Sequence, residues 1–422
     1  MGVIDFITLM ALYIEVGVLA YFDYKLWRSI YTPLNMLMLP YTFVLTITIL
    51  CCGNMGLVDF YYPSLQVWMV GLLVFAVPSY LFGLSFRKNT PVDQAGNIDD
   101  NIDMRVLNIL STVLVVAFLL RFVSMLGSSP YLPGSEDFGY AYCGGGLWGH
   151  LHRTLNALSI IYIYKFDKKH WYYLLLVFGM FFVTLMYGVK SWVLIPAVAG
   201  ICMRLYAGKL KLSPMLVLKI SAAEFLVFIV TYSLSLLVGT DDSNEVSDVF
   251  AFICRVFVHY LISGVLGWSQ DLQMGILEQP NFDALIANVL NFYHVLAGSE
   301  YVQVINPFFI HNGVNGSNVR SFFGTIYINS NTIQFIGIVT YVSSLLYMAK
   351  VLVVYFKGIF LNVAYFFLMA MLIMGWFDYY FYTLTALEVP AWVFILYLIA
   401  RKRNKDGDLP SSLTDRKVEQ NV

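Results

Sequence analysis

Long apolar segments dominate this chain and leave one broad fold class open to it. A helix needs roughly 17 to 25 mostly apolar residues to cross a lipid bilayer. Because backbone polar groups in lipid must be satisfied within the segment, the sequence predicts an all-α, polytopic membrane helical bundle. The eleven predicted spans are 3–22, 35–57, 65–86, 106–125, 150–166, 171–187, 191–207, 215–238, 332–349, 359–377 and 382–400.

Composition supports a membrane protein over a soluble one. Hydrophobic residues make up 59% of the chain and charged residues only 12%, whereas a soluble domain carries about 25% charge. The cations are dispersed between apolar segments instead of gathering on one face, so nucleic acid is not an expected partner.

Basic residues between the spans predict the orientation of the bundle. Cytoplasmic loops collect Lys and Arg, and translocated loops are depleted of them. Of the 25 Lys and Arg residues, 20 occur in clusters that alternate along the chain, which predicts an outer N-terminus and a cytoplasmic C-terminus. The predicted organisation is eight spans in 1–238, a large extracytoplasmic loop in 239–331, three spans in 332–400 and a disordered cytoplasmic tail in 401–422.

The predicted large loop contains two apolar stretches, Val249 to Gly267 and Ala284 to Gly298. If both crossed the membrane, residues 268–283 would be cytoplasmic, yet this segment contains three acids and neither Lys nor Arg. We therefore predict amphipathic or re-entrant helices that lie on, or dip into, the outer leaflet as a cap over the bundle.

Five basic residues depart from the charge pattern, because they map to the outer side of the predicted topology. A cation kept there needs a reason other than orientation. Burying an Arg near a membrane costs about 2.5 to 3.5 kcal/mol on insertion scales, which favours a purpose. We interpret the five as a cage for an anionic headgroup. They are Arg121, Arg153, Lys190, Arg255 and Arg320.

Two of these cations lie in turn-like segments. Arg320 lies in the Gly- and Asn-rich segment 315–324, whose backbone N–H groups and guanidinium fork suit phosphate oxygens. The alternative is an interfacial Arg that anchors the ninth span. Lys190 occupies the turn 188–191, where an ordinary hairpin lysine would also project outward.

Arg121 and Arg153 lie near the outer ends of predicted spans. Arg121 could reach lipid phosphate with its long side chain or contact a substrate. Arg153 follows the Gly-rich stretch 143–149, which could wrap a headgroup or form a plain loop. His150 and His152 place their rings on different faces of a helix, so we predict neither a metal site nor a cofactor.

A transferase or hydrolase acting on such a headgroup also needs a proton acceptor near the cations. Asp271 is favoured, because it follows the helix of Arg255 directly and would place a carboxylate beside the cations. His259 is four residues from Arg255 and shares its helix face, and His311 is a rival nine residues before Arg320. Most other outer acids are interpreted as solvated loop charges.

The order of these parts resembles the bacterial O-antigen polymerases, also called Wzy-type oligosaccharide repeat unit polymerases. The similarity covers roughly residues 180 to 350. The matching motifs are Gly188-Val-Lys-Ser191 opening an apolar span, His259-Tyr-Leu-Ile-Ser-Gly264 leading towards Asp271, and Ser317-Asn-Val-Arg-Ser-Phe-Phe-Gly-Thr-Ile-Tyr327 running into Ile336-Gly337. In the first of these motifs relatives often carry Arg, where this chain has Lys190, which keeps the charge but loses the planar fork.

The resemblance implies a lipid-dependent glycosyltransferase of the bacterial cytoplasmic membrane, with its active site facing the periplasm. Its donor would be a glycan on undecaprenyl pyrophosphate, and its acceptor a sugar hydroxyl of the next lipid-linked repeat. The reaction would be inverting and independent of metal. The five cations would hold the pyrophosphate, and Asp271 or His259 would take the acceptor proton. Membrane lipids and a chain-length regulator protein are further expected partners.

Two other functions fit parts of this pattern. An O-antigen ligase would share the same cations, because it also releases a lipid pyrophosphate. A transporter or flippase of lipid-linked sugars would instead predict charges along a central pathway between two symmetric bundles.

Overall fold

The computed structural model is built almost entirely from helices. It describes residues 2–52, 57–86, 98, 101–132, 135–188, 191–237, 249–275, 281–298, 302, 309–310 and 316–401. Two residue pairs, Phe309–Ile310 (β1) and Gly316–Ser317 (β2), form a minimal antiparallel ladder. The helices are α1 (Val3–Trp27), α2 (Pro33–Cys52), α3 (Leu65–Phe86), α4 (Met104–Ser128), α5 (Glu136–Gly139), α6 (Gly146–Lys165), α7 (Tyr172–Met186), α8 (Ser191–Tyr206), α9 (Pro214–Leu237), α10 (Val249–Met274), α11 (Phe282–Leu285), α12 (Ala287–Ala297), α13 (Phe322–Ile328), α14 (Thr332–Phe356), α15 (Ile359–Ile373) and α16 (Thr385–Ala400).

The helices confirm the expectation of an all-helical, multi-pass membrane protein. Across the described ranges, six helical segments are long and apolar enough to cross a membrane, and α7, α8 and α16 are shorter apolar helices. A helix occupies the site of each of the eleven predicted spans, while that number of crossings and their orientation stay predictions. The six segments are Val3–Trp27, Pro33–Cys52, Tyr62–Phe86, Met104–Ser128, Thr332–Phe356 and Ile359–Trp376.

Helix α15 lies at the centre of the bundle. It packs against α2, α6, α8, α14 and α16, and most of its side chains are buried. Its sequence is apolar around the whole helix, as burial on all sides requires. The turn after α15 is therefore held in the middle of one end of the molecule.

The two ends of the bundle differ in charge. We call the end that carries Lys25, Lys165 and Arg204 the cation-rich end. There the Arg204 guanidinium donates to the carbonyl oxygens at the end of α6. The opposite end, where α6 and α16 begin and where Arg153 and Glu388 lie, is called the cation-poor end.

A buried carboxylate ties four elements together at the cation-rich end. Asp23, near the end of α1, is 1% exposed. It accepts hydrogen bonds from the start of α2, from α3 and from α14, so one anion fixes the mutual position of these helices. The donors are Thr32 Oγ1, Asn35 Nδ2 at 3.0 Å, Ser79 Oγ at 2.6 Å and Tyr347 Oη at 3.0 Å.

Lys350 differs from its expected position in a cytoplasmic loop. Helix α14 continues to Phe356, and Lys350 is fully buried within it. Its ammonium lies 5.3 Å from the Tyr206 ring centroid and close enough to Asp23 for charge attraction. Hydropathy falls at Lys350, so the sequence predicts that the span ends just before it. The helix continues because the buried Asp23 carboxylate and the aromatic rings stabilise the charge of the lysine.

Helix α10 is longer than the apolar stretch from which part of the cap is predicted. The stretch Val249 to Gly267 is part of one continuous helix of 26 residues, about 39 Å long at 1.5 Å per residue. The stretch Ala284 to Gly298 instead forms the short helices α11 and α12. The continuous helix forms because its glycines are isolated and no proline interrupts it. The position of these helices relative to the bilayer stays a prediction.

Gly264 allows α10 to approach the turn after α15. A Cβ atom at this position would lie 2.2 Å from the carbonyl oxygen of Phe377, a backbone atom that cannot rotate away. We expect Gly264→Ala to lower the thermal melting temperature by several degrees, on the order of 1 to 3 kcal/mol of overpacking. The matched control is Gly17→Ala in α1, where a Cβ would meet open space, and which should leave the melting temperature unchanged or raised. Equal melting temperatures for both variants would contradict the close approach.

Candidate functional site

Arg320 and Asp271 form a buried ion pair at the cation-poor end. The Arg320 side chain is fully buried and that of Asp271 is 1% exposed, and Arg320 Nε donates to Asp271 Oδ2. Arg320 Nη1 also donates to the carbonyl oxygens of Val319 at 2.9 Å and Ser317 at 3.2 Å. The guanidinium therefore joins the carboxyl-terminal part of α10 to the segment before α13.

The backbone next to Arg320 is strained. Ser321 has a φ of +51°, a value that residues with a side chain rarely adopt. Its N–H donates to the Phe377 carbonyl oxygen at 2.9 Å, and its Oγ accepts from Trp68 Nε1 at 3.4 Å. Such strain costs about 1 to 3 kcal/mol and persists at sites that surrounding contacts hold in place, often functional ones.

Asp378 adds a second buried carboxylate beside this pair. It accepts from Thr325 Oγ1 at 2.6 Å and from Tyr382 Oη at 3.2 Å. Burial raises the pKa of the Asp378 carboxyl, and the two hydroxyl groups and the Arg320 charge offset this rise in part. Asp378 thus differs from the solvated loop charges expected for most outer acids, because it is buried and close enough to Arg320 for charge attraction.

A second cluster surrounds Arg153, where α6 meets α16. Glu388, in the first turn of α16, binds two groups from α6. Its Oε1 lies 2.6 Å from His150 Nδ1, and its Oε2 lies 3.6 Å from Arg153 Nε. The guanidinium also lies over the Tyr187 ring, 5.5 Å from its centroid. The Arg153 and Glu388 side chains are 12% and 15% exposed, so this pair is open to solvent where Arg320 is not.

The protonation of His152 follows from its neighbours. Arg153 Nη1 lies 2.7 Å from His152 Nδ1, and since guanidinium groups only donate, this nitrogen must be the acceptor. The proton of the neutral ring is then on Nε2, which donates to Thr184 Oγ1 at 3.2 Å. His152 therefore holds Arg153 in place and is not available as a base.

Arg121 borders the Arg153 cluster. Its guanidinium donates at 2.8 Å to the carbonyl oxygens of Tyr142 and Ala141 and lies 4.7 Å from the Trp148 ring centroid. Burial raises the pKa of the Cys143 thiol to about 12, against the nearby charges of Arg153 and Arg121. Both arginines therefore lie near enough to this buried thiol for their charges to affect it.

The segment 377–388 connects the two clusters. Phe377 and Asp378 at its start contact the Ser321 and Thr325 region. The turn at its middle packs against α8, with the Tyr380 and Trp192 ring centroids 6.0 Å apart. Glu388 at its end binds His150 and Arg153. This segment consists of the end of the connection between α15 and α16 and the first turn of α16. It therefore holds both arginine clusters at the same end.

Three predicted site residues cannot be placed by their side chains. Lys190 and His311 lie outside the described residues, and Arg255 lies in α10 with its side chain outside them. These assignments stay predictions, as do the proposed roles of the other site residues.

The structure separates residues that the sequence placed together. Because α10 is continuous, Asp271 lies about 24 Å along the helix axis from Arg255 and about 18 Å from His259. Asp271 therefore lies beside the cation Arg320 and not beside Arg255. His259 itself is buried, at 8% exposure.

The sequence did not predict that Glu388 and His150 belong to the candidate site. Glu388 lies inside the apolar segment 382–400, and a carboxylate in such a segment is itself a signal of function. The sequence offered only one role to test for His150, that of a metal ligand. Within the described part of the chain, no group of three or more His, Cys, Asp or Glu residues could hold a metal ion.

Comparisons with known proteins give a family but no activity. The model of a family described as "Family of unknown function (DUF6337)" matches residues 56–406. This range contains both arginine clusters, from Arg121 to Glu388. No curated protein and no solved structure matches the chain.

Proposed function

We propose that this chain, which belongs to this family of unknown function, joins lipid-linked oligosaccharide repeat units into a surface polysaccharide. In this proposal the donor is a glycan on undecaprenyl pyrophosphate and the acceptor is a sugar hydroxyl of the next repeat. The enzyme works at the outer face of a bacterial cytoplasmic membrane, as the resemblance to the O-antigen polymerases implies.

The observation that carries the proposal is the pair of arginine clusters joined by residues 377–388 at the cation-poor end. Displacing a pyrophosphate from an anomeric carbon builds negative charge on the leaving group. Fixed cations in a poorly hydrated site stabilise that charge without reorganising during the reaction. Each arginine here is held in place by a carboxylate or by backbone carbonyl oxygens.

The two clusters would divide the work according to their exposure. Arg153 is held by Glu388 at 3.6 Å and is partly open, so it would contact the pyrophosphate first. Arg121, which is fixed by the carbonyl oxygens of Tyr142 and Ala141, would bind it too. Arg320 is enclosed with Asp271, so it would hold the segment before α13 in place at the same end of the bundle.

The apolar helices around the site suit a substrate with a polyprenyl tail. Long apolar side chains of α4 and α7, among them Val123 and Phe178, are exposed on the molecular surface, as lipid contact requires. A lipid-linked sugar could therefore keep its tail in the membrane while its pyrophosphate reaches the arginine clusters.

Glycan analysis of a deletion strain tests this function. We expect loss of the polysaccharide ladder on a gel with retention of a single capped repeat, because the first repeat would still be made and transferred. Loss of every repeat would contradict a polymerase and would indicate a flippase or a ligase. Complementation with Arg153→Ala should leave the ladder absent at normal protein levels. The control Arg105→Ala, an exposed arginine at the cation-rich end, should restore it fully.

A further inference from the structure

The polymerisation proposed above needs a base to take the proton of the acceptor hydroxyl, and the geometry points to His150, positioned by Glu388. This inference rests on the proposed function and adds to it a catalytic residue from the first turn of α6. The two residues are 238 positions apart in sequence, and their side chains meet at 2.6 Å.

His150 is the most accessible of the candidate bases that the structure describes. Its side chain is 48% exposed. Asp271 is 1% exposed and its carboxylate is engaged by Arg320, and His259 is 8% exposed. A base must come within hydrogen-bond reach of the hydroxyl that it deprotonates, and only His150 of these three meets that condition without a rearrangement.

Glu388 sets the orientation of the imidazole. A carboxylate only accepts hydrogen bonds, so the His150 Nδ1 that faces it carries the proton. The lone pair of the neutral ring then lies on Nε2, on the opposite side of the ring from Glu388. The carboxylate would also stabilise the imidazolium formed when Nε2 takes a proton, as in other histidine–carboxylate pairs.

Arg153 places a cation next to this base. Glu388 binds His150 through Oε1 and Arg153 through Oε2, so a single carboxylate sets both groups. One face of α6 therefore presents a base for the acceptor and a cation for the leaving group. The ligands that this face would bind are an acceptor sugar hydroxyl and, beside it, a glycosyl pyrophosphate.

The reaction step balances with these groups alone. The acceptor oxygen attacks the anomeric carbon of the donor and forms the new glycosidic C–O bond, while its proton passes to His150 Nε2. The bond between the anomeric carbon and the pyrophosphate oxygen breaks, and its electron pair leaves on the pyrophosphate near Arg153. His150 returns its proton to solvent before the next cycle.

Turnover of lipid-linked repeats by the purified protein in liposomes tests the inference. We expect His150→Ala to lower kcat by about 100-fold or more, the range of general base catalysis, and added imidazole to restore part of the rate. Glu388→Gln should lower kcat by about tenfold or more and leave the KM of the donor within about threefold, as expected for a residue that orients the base.

The chain offers a matched control at the other end of the bundle. The His170 side chain is 38% exposed and also pairs with a carboxylate, Asp167, at 2.9 Å, so His170→Gln should keep full turnover. Full activity of His150→Ala beside an active wild type would overturn this inference alone, as would a loss of rate that imidazole does not restore. A wild type that forms no glycosidic bond would overturn both this inference and the proposed function.

Discussion

Replacing Asp271 by alanine is expected to destabilise the protein by about 3 to 5 kcal/mol, the usual cost of leaving one partner of a buried ion pair without the other. Arg320 is fully buried, so its charge could not be solvated in the variant without opening the segment before α13. The strained backbone at Ser321 would lose part of its support at the same time. Resistance of the purified variant to SDS unfolding in detergent measures the effect.

A double substitution separates lost charge pairing from lost packing. Asp271→Leu combined with Arg320→Met removes both charges and should be more stable than either single alanine variant, because no uncompensated ion remains. Asp283→Ala, an exposed acid in α11, is the control and should unfold like the wild type. An Asp271→Ala variant as stable as the wild type would show that the pair does not hold this end together.

Asp23→Ala is expected to have an effect of similar or larger size at the cation-rich end. Four donors from α2, α3 and α14 would lose their acceptor, and Lys350 would lose a nearby anion in a fully buried position. Buried donors left without partners cost about 1 to 3 kcal/mol each before relaxation, so the four helices should separate at this end first.

Hydrogen exchange and SDS unfolding together measure that effect. We expect Asp23→Ala to lose protection at the ends of α1 and α14 and to unfold at lower SDS concentration. Lys25→Ala, an exposed charge two residues further along α1, should change neither. Unchanged exchange at α14 in Asp23→Ala would contradict the role of this carboxylate as the shared link.

Hydrophobicity predicted the helices because each long apolar segment has few structural alternatives in lipid. It ended α14 too early, since the free energy of burying Lys350 depends on Asp23 and on two aromatic rings that come from other helices. The apolar stretch Val249 to Gly267 likewise ends before the helix does, because α10 continues to Met274 through Asp271, whose charge is paired with Arg320.

The candidate site could be predicted only in part for a similar reason. The charge pattern between the spans indicated the outer cations, and position along the chain indicated Asp271 and Arg320. Neither can report pairs such as His150 and Glu388, which meet across two helices that are far apart in sequence. The carboxylate inside the last apolar segment was the one sequence signal that could have indicated the second cluster.

The proposed polymerisation is tested most directly by the reaction itself, with wild-type protein in liposomes and a radiolabelled repeat unit on undecaprenyl pyrophosphate. We expect a ladder of longer lipid-linked glycans and the release of one undecaprenyl pyrophosphate for each bond formed. Repeats that remain single, with no pyrophosphate carrier released, would contradict it.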